Sequence, residues 1–527
     1  MKHLVLLSLL VLAGPAAGTA DSTPLGTRQD GPAKPELYLY HQVNLLVDKN
    51  LEVCEKLWTR AAKAGYTKVV VADSKMAKLG DMDKHYFQNL DKAKKLAADL
   101  KIELIPALFH IGYSNTMLWH DPNLAEGLPV KDALFEVKGG TADIVADPPV
   151  AFPAKFGFKD ETVEAADGVA TVKDNPKLAR FTYTLSLPKY RCYHISVKIK
   201  TENYSGHPEI KAIADGRTLQ FQNLDVKKTQ DWKEHHVVFN TLDHDKVALY
   251  FGIWGKASGT LQWKDWKIEE AGLVNVLRRP GTPFTIQGYV EGKDYEPVAD
   301  PKLGAHPWKG EYDSWHEPVK IKTKLPDGTK LRVSWFHPAI IHDGQVSACI
   351  AEPKTYELLA DEARRIKEAT GAKSYMMSHD EFRSMNTCDA CLKKGLDAGA
   401  LLAENARQCV KMLEGSTVYV WNDMFDPYHN AVKDYYLVRG DLKGSWEGLP
   451  KDVIIMNWYF GPREKNLPFF ADRGHRQVLA GYYDHDPAQI KEWLKSAAKV
   501  KGVVGVMYTT WQNKFDDLEA FAKYARE

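Results

Sequence analysis

The chain has 527 residues, 44% hydrophobic and 26% charged, the balance of a globular protein long enough for one large domain plus a smaller module. Its 70 Lys and Arg offset 69 Asp and Glu, so a net charge of +1 leaves no electrostatic footprint for nucleic acid or an anionic membrane surface. The 14 Trp and 24 Tyr suit stacking on sugar faces, and equally a large β-rich core.

Residues 1–20, MKHLVLLSLLVLAGPAAGTA, combine a basic start, an apolar run and small residues at Gly18 and Ala20. That is the pattern of an export signal cleaved after Ala20, with 21–36 as a linker. No Cys follows at once, which argues against a lipid anchor, and no other segment approaches the roughly 20 apolar residues of a membrane span. The mature chain is expected to be secreted or periplasmic, without a membrane association.

From ELYLYHQVNLL onward, apolar strands alternate with amphipathic helices. The segment NLEVCEKLWTRAAKAG places Leu51, Cys54, Leu57, Trp58 and Ala61 on one helical face, and Gly65 stops it. YTKVVVADS and KIELIPALFHIGYS read as further strands, with YFQNLDKAKKLAADL as the helix between them. Continuous apolar strands separated by helices predict a parallel sheet covered by helices. Over residues 126–280 the helical period disappears, and short alternating runs such as ARFTYTLSL, YHISVKIKT and KVALYFGIW predict an antiparallel sandwich. Residues 281–330 read as an irregular connection, with KLRVSWF as an extra strand of the long third loop or, alternatively, a barrel strand.

Strand–helix alternation resumes over 331–527, through KSYMMS, TVYVWND, DVIIMNWYF, RQVLAGYY and VVGVMYTTW. With the three strands of 37–125 this makes eight. The fold class is α/β, a (β/α)8 barrel interrupted after its third strand by the sandwich. Sites in such barrels lie at the C-terminal strand ends. Those ends offer His41 and Asn44, Asp73, His110, then His379, Asp380 and Glu381 after strand four. Strand five gives Trp421, Asn422 and Asp423; strand six Asn457, Trp458 and Tyr459; strand seven Tyr482, Tyr483 and Asp484; strand eight Trp511 and Gln512.

A ring of carboxylates and aromatics fits acid/base work on an acetal held against aromatic faces. The adjacent Asp380–Glu381 reads as a catalytic pair in that position and as a solvated loop outside it. No Glu follows directly on VLAGYYDHD to serve as a strand-seven nucleophile. An Asp–Glu pair instead suits the substrate-assisted route, in which the sugar's own 2-acetamido group attacks.

Here the sequence resembles the family-20 β-N-acetylhexosaminidases. The carrying stretches are IELIPALFHIGYS, the EPKTYELLADEARRIKEA helix before SHDE, the tryptophans Trp421, Trp458 and Trp511, and YYDHD. The resemblance implies Glu381 as acid/base and Asp380 as the group stabilising the cyclised intermediate. It implies a sugar pocket walled by Trp421, Trp458 and Trp511, with Tyr482 or Tyr483 donating to the acetamide and Asp484 supporting. His379 and Asp423 join them as substrate-contact candidates. Three positions depart from the family: LYLYHQVN lacks its sugar-binding Arg, Ala107 stands where it has Glu, and strand eight ends in Trp-Gln. The sugar therefore stays open. GTLQWKDWKIEEAG resembles the closing strand of jelly-roll carbohydrate-binding modules, and Trp263 and Trp266 fit either a sugar platform or the sandwich core.

The alternatives are a glycosidase of other specificity, with Asp484 or Asp423 as second carboxylate, and a non-catalytic polysaccharide-binding protein. The expected partner is an oligo- or polysaccharide. No cofactor and no metal is expected, and the oligomeric state is open. Of six cysteines only Cys388 and Cys391 are close in sequence. A zinc site needs two further ligands, and no second Cys-x-x-Cys supplies them. A local disulfide ranks first for this pair, free thiols second and metal third. Cys54 and Cys409 read as buried thiols. Arg383 reads equally as a partner of a carboxylate or a surface residue.

Overall fold

The computed structural model describes residues 34–304, 307, 308 and 310–527. The expected leader over 1–20 and nearly all of the linker over 21–36 lie outside the described residues. Pro35–Glu527 form one unit.

Eight parallel strands close into a barrel in chain order. They are β1 (Glu36–Gln42), β2 (Lys68–Ala72), β3 (Glu103–Leu108), β4 (Ser374–Met377), β5 (Thr417–Trp421), β6 (Ile454–Asn457), β7 (Gln477–Ala480) and β8 (Val503–Tyr508). Closure is made by β1 against β8, Leu37 opposite Val506. The strand interiors are mostly apolar because both faces are covered. In β1, Leu37 and Leu39 join the core shared with the helices, while Tyr38 and Tyr40 join the core that fills the lumen. That lumen is packed by Val70, Ile105, Met376, Tyr419, Met456 and Met507. Successive side chains point to opposite faces, so each strand end offers one residue to the lumen and the next to the helical shell.

The helices follow their sequence signals. Asp48–Ala64 (α1) buries Cys54, Leu57, Trp58 and Ala61, and stops at Gly65, whose φ of +90° suits only glycine without strain. Pro353–Thr370 (α2) starts on a proline and ends at Gly371, just before β4. No helix among the described residues is long and apolar enough to cross a membrane.

Between β3 and β4 the chain builds three antiparallel five-stranded sheets. Two share one apolar core, in which Trp263 is fully buried between Phe181 and Phe251. Trp266 packs on Phe156, Phe181 and Tyr183. One extra residue between the Ile199↔Trp263 and Ser196↔Lys267 pairings shifts the register, and this bulge turns both tryptophans inward. They form core, not an exposed platform. The third sheet pairs Lys330–Pro338 with Gly127–Lys138, so KLRVSWF is not a barrel strand. Residues 281–330 add two short strands to it, Thr285–Ile286 and Ile321–Lys322. Trp263→Ala is expected to cost about 3–5 kcal/mol in urea unfolding of the full chain, the cavity cost of a buried aromatic.

Glu362 is buried in α2 and accepts a hydrogen bond from the Phe109 amide at 3.2 Å. Burial pushes its carboxyl up to about 7. Such a group favours folding fully below its unfolded pKa and loses that contribution as pH rises through the folded value. Thermal unfolding should therefore show Glu362→Gln gaining on the native chain from pH 5 to pH 8, by at most about 3 kcal/mol. A constant difference over that range would contradict the assignment.

Candidate active site

The C-terminal mouth of the barrel opens into a cavity of about 1020 Å³. Its floor is aromatic. Tyr40 meets Trp421 and Trp511 edge-on, with ring centroids 5.6 and 5.3 Å apart. One wall is Trp458 stacked on Tyr483, 5.6 Å apart and 7° from parallel. Asp380, Glu381, Tyr113 and Arg383 also line the cavity.

The loop after β4 is held from several sides. Glu381 has a φ of +47°, a conformation rare for a residue with a side chain. Its amide donates to Asp423 Oδ2 at 2.9 Å, and its carbonyl accepts from Gln345 Nε2 at 2.7 Å. Gly112 makes this loop possible: a Cβ there would lie 1.9 Å from the Asp380 carbonyl oxygen. The Glu381 carboxylate is ion-paired with Arg383 at 2.9 Å and accepts from the Tyr113 hydroxyl. Arg383 also donates to Tyr113 at 3.2 Å and to Gln345 Oε1. It is a buried partner of a carboxylate, not a surface residue.

Asp423 is fully buried beneath this layer. It accepts from Asn430 at 2.9 Å and from the Trp458 indole at 3.3 Å. Burial, then the charges of Asp423 and Glu381, pushes the Asp380 carboxyl well above the usual carboxylate range. Asp423 is also raised, by burial first. The Tyr483 hydroxyl is pushed up to about 12 by burial, so it remains a proton donor at neutral pH. His110, also on the cavity, is pushed down to about 4 by burial and is neutral there.

Of the ten residues expected at the site, Asp380, Glu381, Trp421, Trp458, Tyr483, Asp484 and Trp511 line the one cavity. Asp484 braces the segment after β8, accepting from the Trp511 amide at 2.8 Å and from the Thr510 hydroxyl. Three do not line it. His379 is fully buried behind the strand wall, bonded to Asn405 at 3.0 Å among Phe109, Phe382 and Phe425. Tyr482 donates to Asp517 at 2.8 Å and stacks on Tyr508, on the helical side. Asp423 lies behind the cavity, holding the Glu381 amide and the Trp458 indole. His41 and Asp73 likewise face the helical side, accepting from Trp58 and Tyr86, whereas Asn44 and Gln512 reach the cavity. Sequence reasoning missed Tyr40, Gln42, Tyr113, His342 and Gln345. Alternation along β1 points Tyr40 inward; nothing in the sequence announces His342 or Gln345, which come from the returning end of the insert.

All six cysteines are free and buried. The expected Cys388–Cys391 disulfide is not formed, and Cys349 lies against both thiols instead.

No known family profile matches the chain, and no curated protein matches it. Among solved structures it is similar to a chitobiase of Flavobacterium johnsoniae, at 10% identity and a TM-score of 0.37, over 93% of this chain and 47% of that one. It is similar to an N-acetyl-β-hexosaminidase of Streptomyces plicatus at 10% identity and a TM-score of 0.37, over 94% and 64% of the two chains. It is similar to a rhamnosidase from Novosphingobium sp. PP1Y at 11% identity and a TM-score of 0.34, over 93% and 58%. The chain thus spans about half the length of the chitobiase.

Proposed function

We propose that the chain is an exported glycoside hydrolase that cleaves β-linked N-acetylhexosamine by a retaining, substrate-assisted mechanism. The observation that carries this reading is the Asp380–Glu381 pair on the wall of an aromatic cavity at the barrel mouth. In the first step the 2-acetamido oxygen attacks the anomeric carbon while the glycosidic C–O bond breaks. Glu381 gives its proton to the departing oxygen. Tyr483 donates to the acetamide oxygen, and Asp380 stabilises the acetamide N–H as positive charge grows there. In the second step Glu381 takes a proton from water, the oxygen adds to the anomeric carbon, and the acetamide is released with the β configuration retained. Trp421, Trp458 and Trp511 supply apolar faces for the sugar ring. The two core-sharing sheets of the insert are read as a carbohydrate-binding-like sandwich.

A second assignment of roles is favoured by one observation. Glu381 is ion-paired with Arg383, while Asp380 is the carboxyl raised by burial. In that version Asp380 is the acid and Glu381 the charged partner. The two versions separate by leaving group: loss of the acid slows poor leaving groups far more than activated aryl ones. The retaining route is tested by proton NMR of the first product from an aryl N-acetyl-β-glucosaminide. The β anomer should appear first; the α anomer first would contradict retention. Sugar binding without turnover would point to a binding protein.

A further inference from the structure

The three cysteines near the site gather around a carboxylate. Glu126, Cys349, Cys388 and Cys391 are all buried, and their ligand atoms lie within 4.8 Å of one another. Cys349 Sγ is 3.5 Å from Cys388 Sγ and 3.6 Å from Cys391 Sγ. Glu126 Oε2 is 3.3 Å from Cys391 Sγ and 3.7 Å from Cys388 Sγ. Zinc bonds of about 2.3 Å to sulfur and about 2.1 Å to oxygen place tetrahedral ligands about 3.6–3.8 Å apart. The four contacts above, 3.3–3.7 Å, lie within a few tenths of an ångström of this set, and the whole group lies within 4.8 Å.

The surroundings are built for a charged centre. Glu126 Oε1 accepts from the Thr387 amide at 2.7 Å, the Thr387 hydroxyl at 2.8 Å and the Cys388 amide at 3.0 Å. Those bonds saturate one oxygen and aim the other at the sulfurs, the way an outer shell orients a metal ligand. Arg279 Nη2 lies 3.5 Å from Cys388 Sγ and is itself fixed by the Ala125 carbonyl at 3.0 Å. A carboxylate 1% exposed and facing three thiols is costly to bury unless a cation joins it. The antiparallel bridge between Ala125 and Ala348 joins the two ends of the insert, with the Glu126 amide donating to the Ser347 carbonyl and the Cys349 amide to the Leu124 carbonyl, both at 2.8 Å.

We infer that Glu126, Cys349, Cys388 and Cys391 form a closed, tetrahedral structural zinc site that clamps both ends of the insert to the loop after β4. Three thiolates and one carboxylate on a divalent ion leave a negative charge; Arg279 faces it at Cys388 and is itself ion-paired with Glu352. Four protein ligands leave no open position, so the ion has a structural rather than catalytic part. Its reach to the active site runs through Gln345, four residues before Cys349, which holds Arg383 and the Glu381 carbonyl. The inference is independent of the sugar chemistry.

The full chain, expressed with zinc supplied, should carry about one zinc per molecule by elemental mass spectrometry. Cys391→Ser and Glu126→Gln should lose most of it, while Cys409→Ser, a buried thiol elsewhere, should keep it. Should the ligand variants fail to fold, cobalt exchange into the native chain serves instead. It should give sulfur-to-cobalt charge transfer and the intense visible bands of a tetrahedral thiolate site. A native chain that takes up neither metal overturns the inference. So does a different resident metal, zinc retained in full by both ligand variants, or a disulfide mapped between any two of Cys349, Cys388 and Cys391.

Discussion

Replacing Glu381 by glutamine is expected to lower kcat about 10²–10⁴-fold on a poor leaving group, the usual worth of a positioned acid/base. The effect on an activated aryl leaving group should be much smaller in the first step, because a phenolate departs without a proton. Glutamine keeps the shape and the contact with Tyr113 but cannot transfer a proton. The left-handed backbone at 381, held by Asp423 and Gln345, fixes where the side chain emerges, so the substitution should leave the loop in place. Substrate KM should therefore change little. An equal loss on both classes of leaving group would move the acid role to Asp380, and Asp380→Asn would then show the leaving-group dependence.

Arg383→Met should be costly in a different way. Arg383 is 5% exposed and serves Glu381, Tyr113 and Gln345 together. Methionine fills much of the volume but leaves three polar groups without their donor. Breaking a buried pair from one side costs about 3–5 kcal/mol, and partial exposure of Glu381 places this case toward the lower end. Arg383→Lys restores charge without the planar fork and should recover only part of the stability. Denaturant unfolding of the three proteins measures this directly. Equal midpoints for Arg383→Met and the native chain would show that the pair is not structural.

Much of the barrel was legible in the sequence because its strands are unbroken apolar runs and its helices carry clean stops at Gly65 and Gly371. The floor and stacked wall of the site were legible for a related reason. Trp421, Trp458, Tyr483 and Trp511 are large residues at strand ends, and the fold gathers strand ends. What stayed open was the choice between neighbours. His379 and Asp380, or Tyr482 and Tyr483, are adjacent in sequence and point to opposite sides of the wall, so one of each pair faces the helices. The composition of a strand end does not say which. The alternation upstream does for His379 and Asp380, since Met376 faces the lumen and Met377 the shell, but not for Tyr482 and Tyr483: Val478 and Ala480 face the lumen, and the chain leaves the strand pattern before Tyr483, whose φ is +50°.

The remaining misses come from chain distance. Gln345 and His342 reach the site from the far side of an insert of more than 200 residues, and no local pattern marks them. The same holds for the cysteines. Cys388 and Cys391 looked like half of a metal site or a staple because their partners, Glu126 and Cys349, lie at the two ends of that insert. Sequence spacing could not join them; the Ala125–Ala348 bridge does.

One comparison bears on the proposed chemistry more directly than any substitution. A single preparation is assayed on an aryl N-acetyl-β-glucosaminide and on the matching aryl β-glucoside, which differ only at the 2-position. A substrate-assisted site should turn over the first and leave the second essentially untouched, since the glucoside carries no acetamide to attack. Turnover of the plain glucoside at a comparable rate, or of the glucoside alone, would contradict the mechanism and require a protein carboxylate as nucleophile.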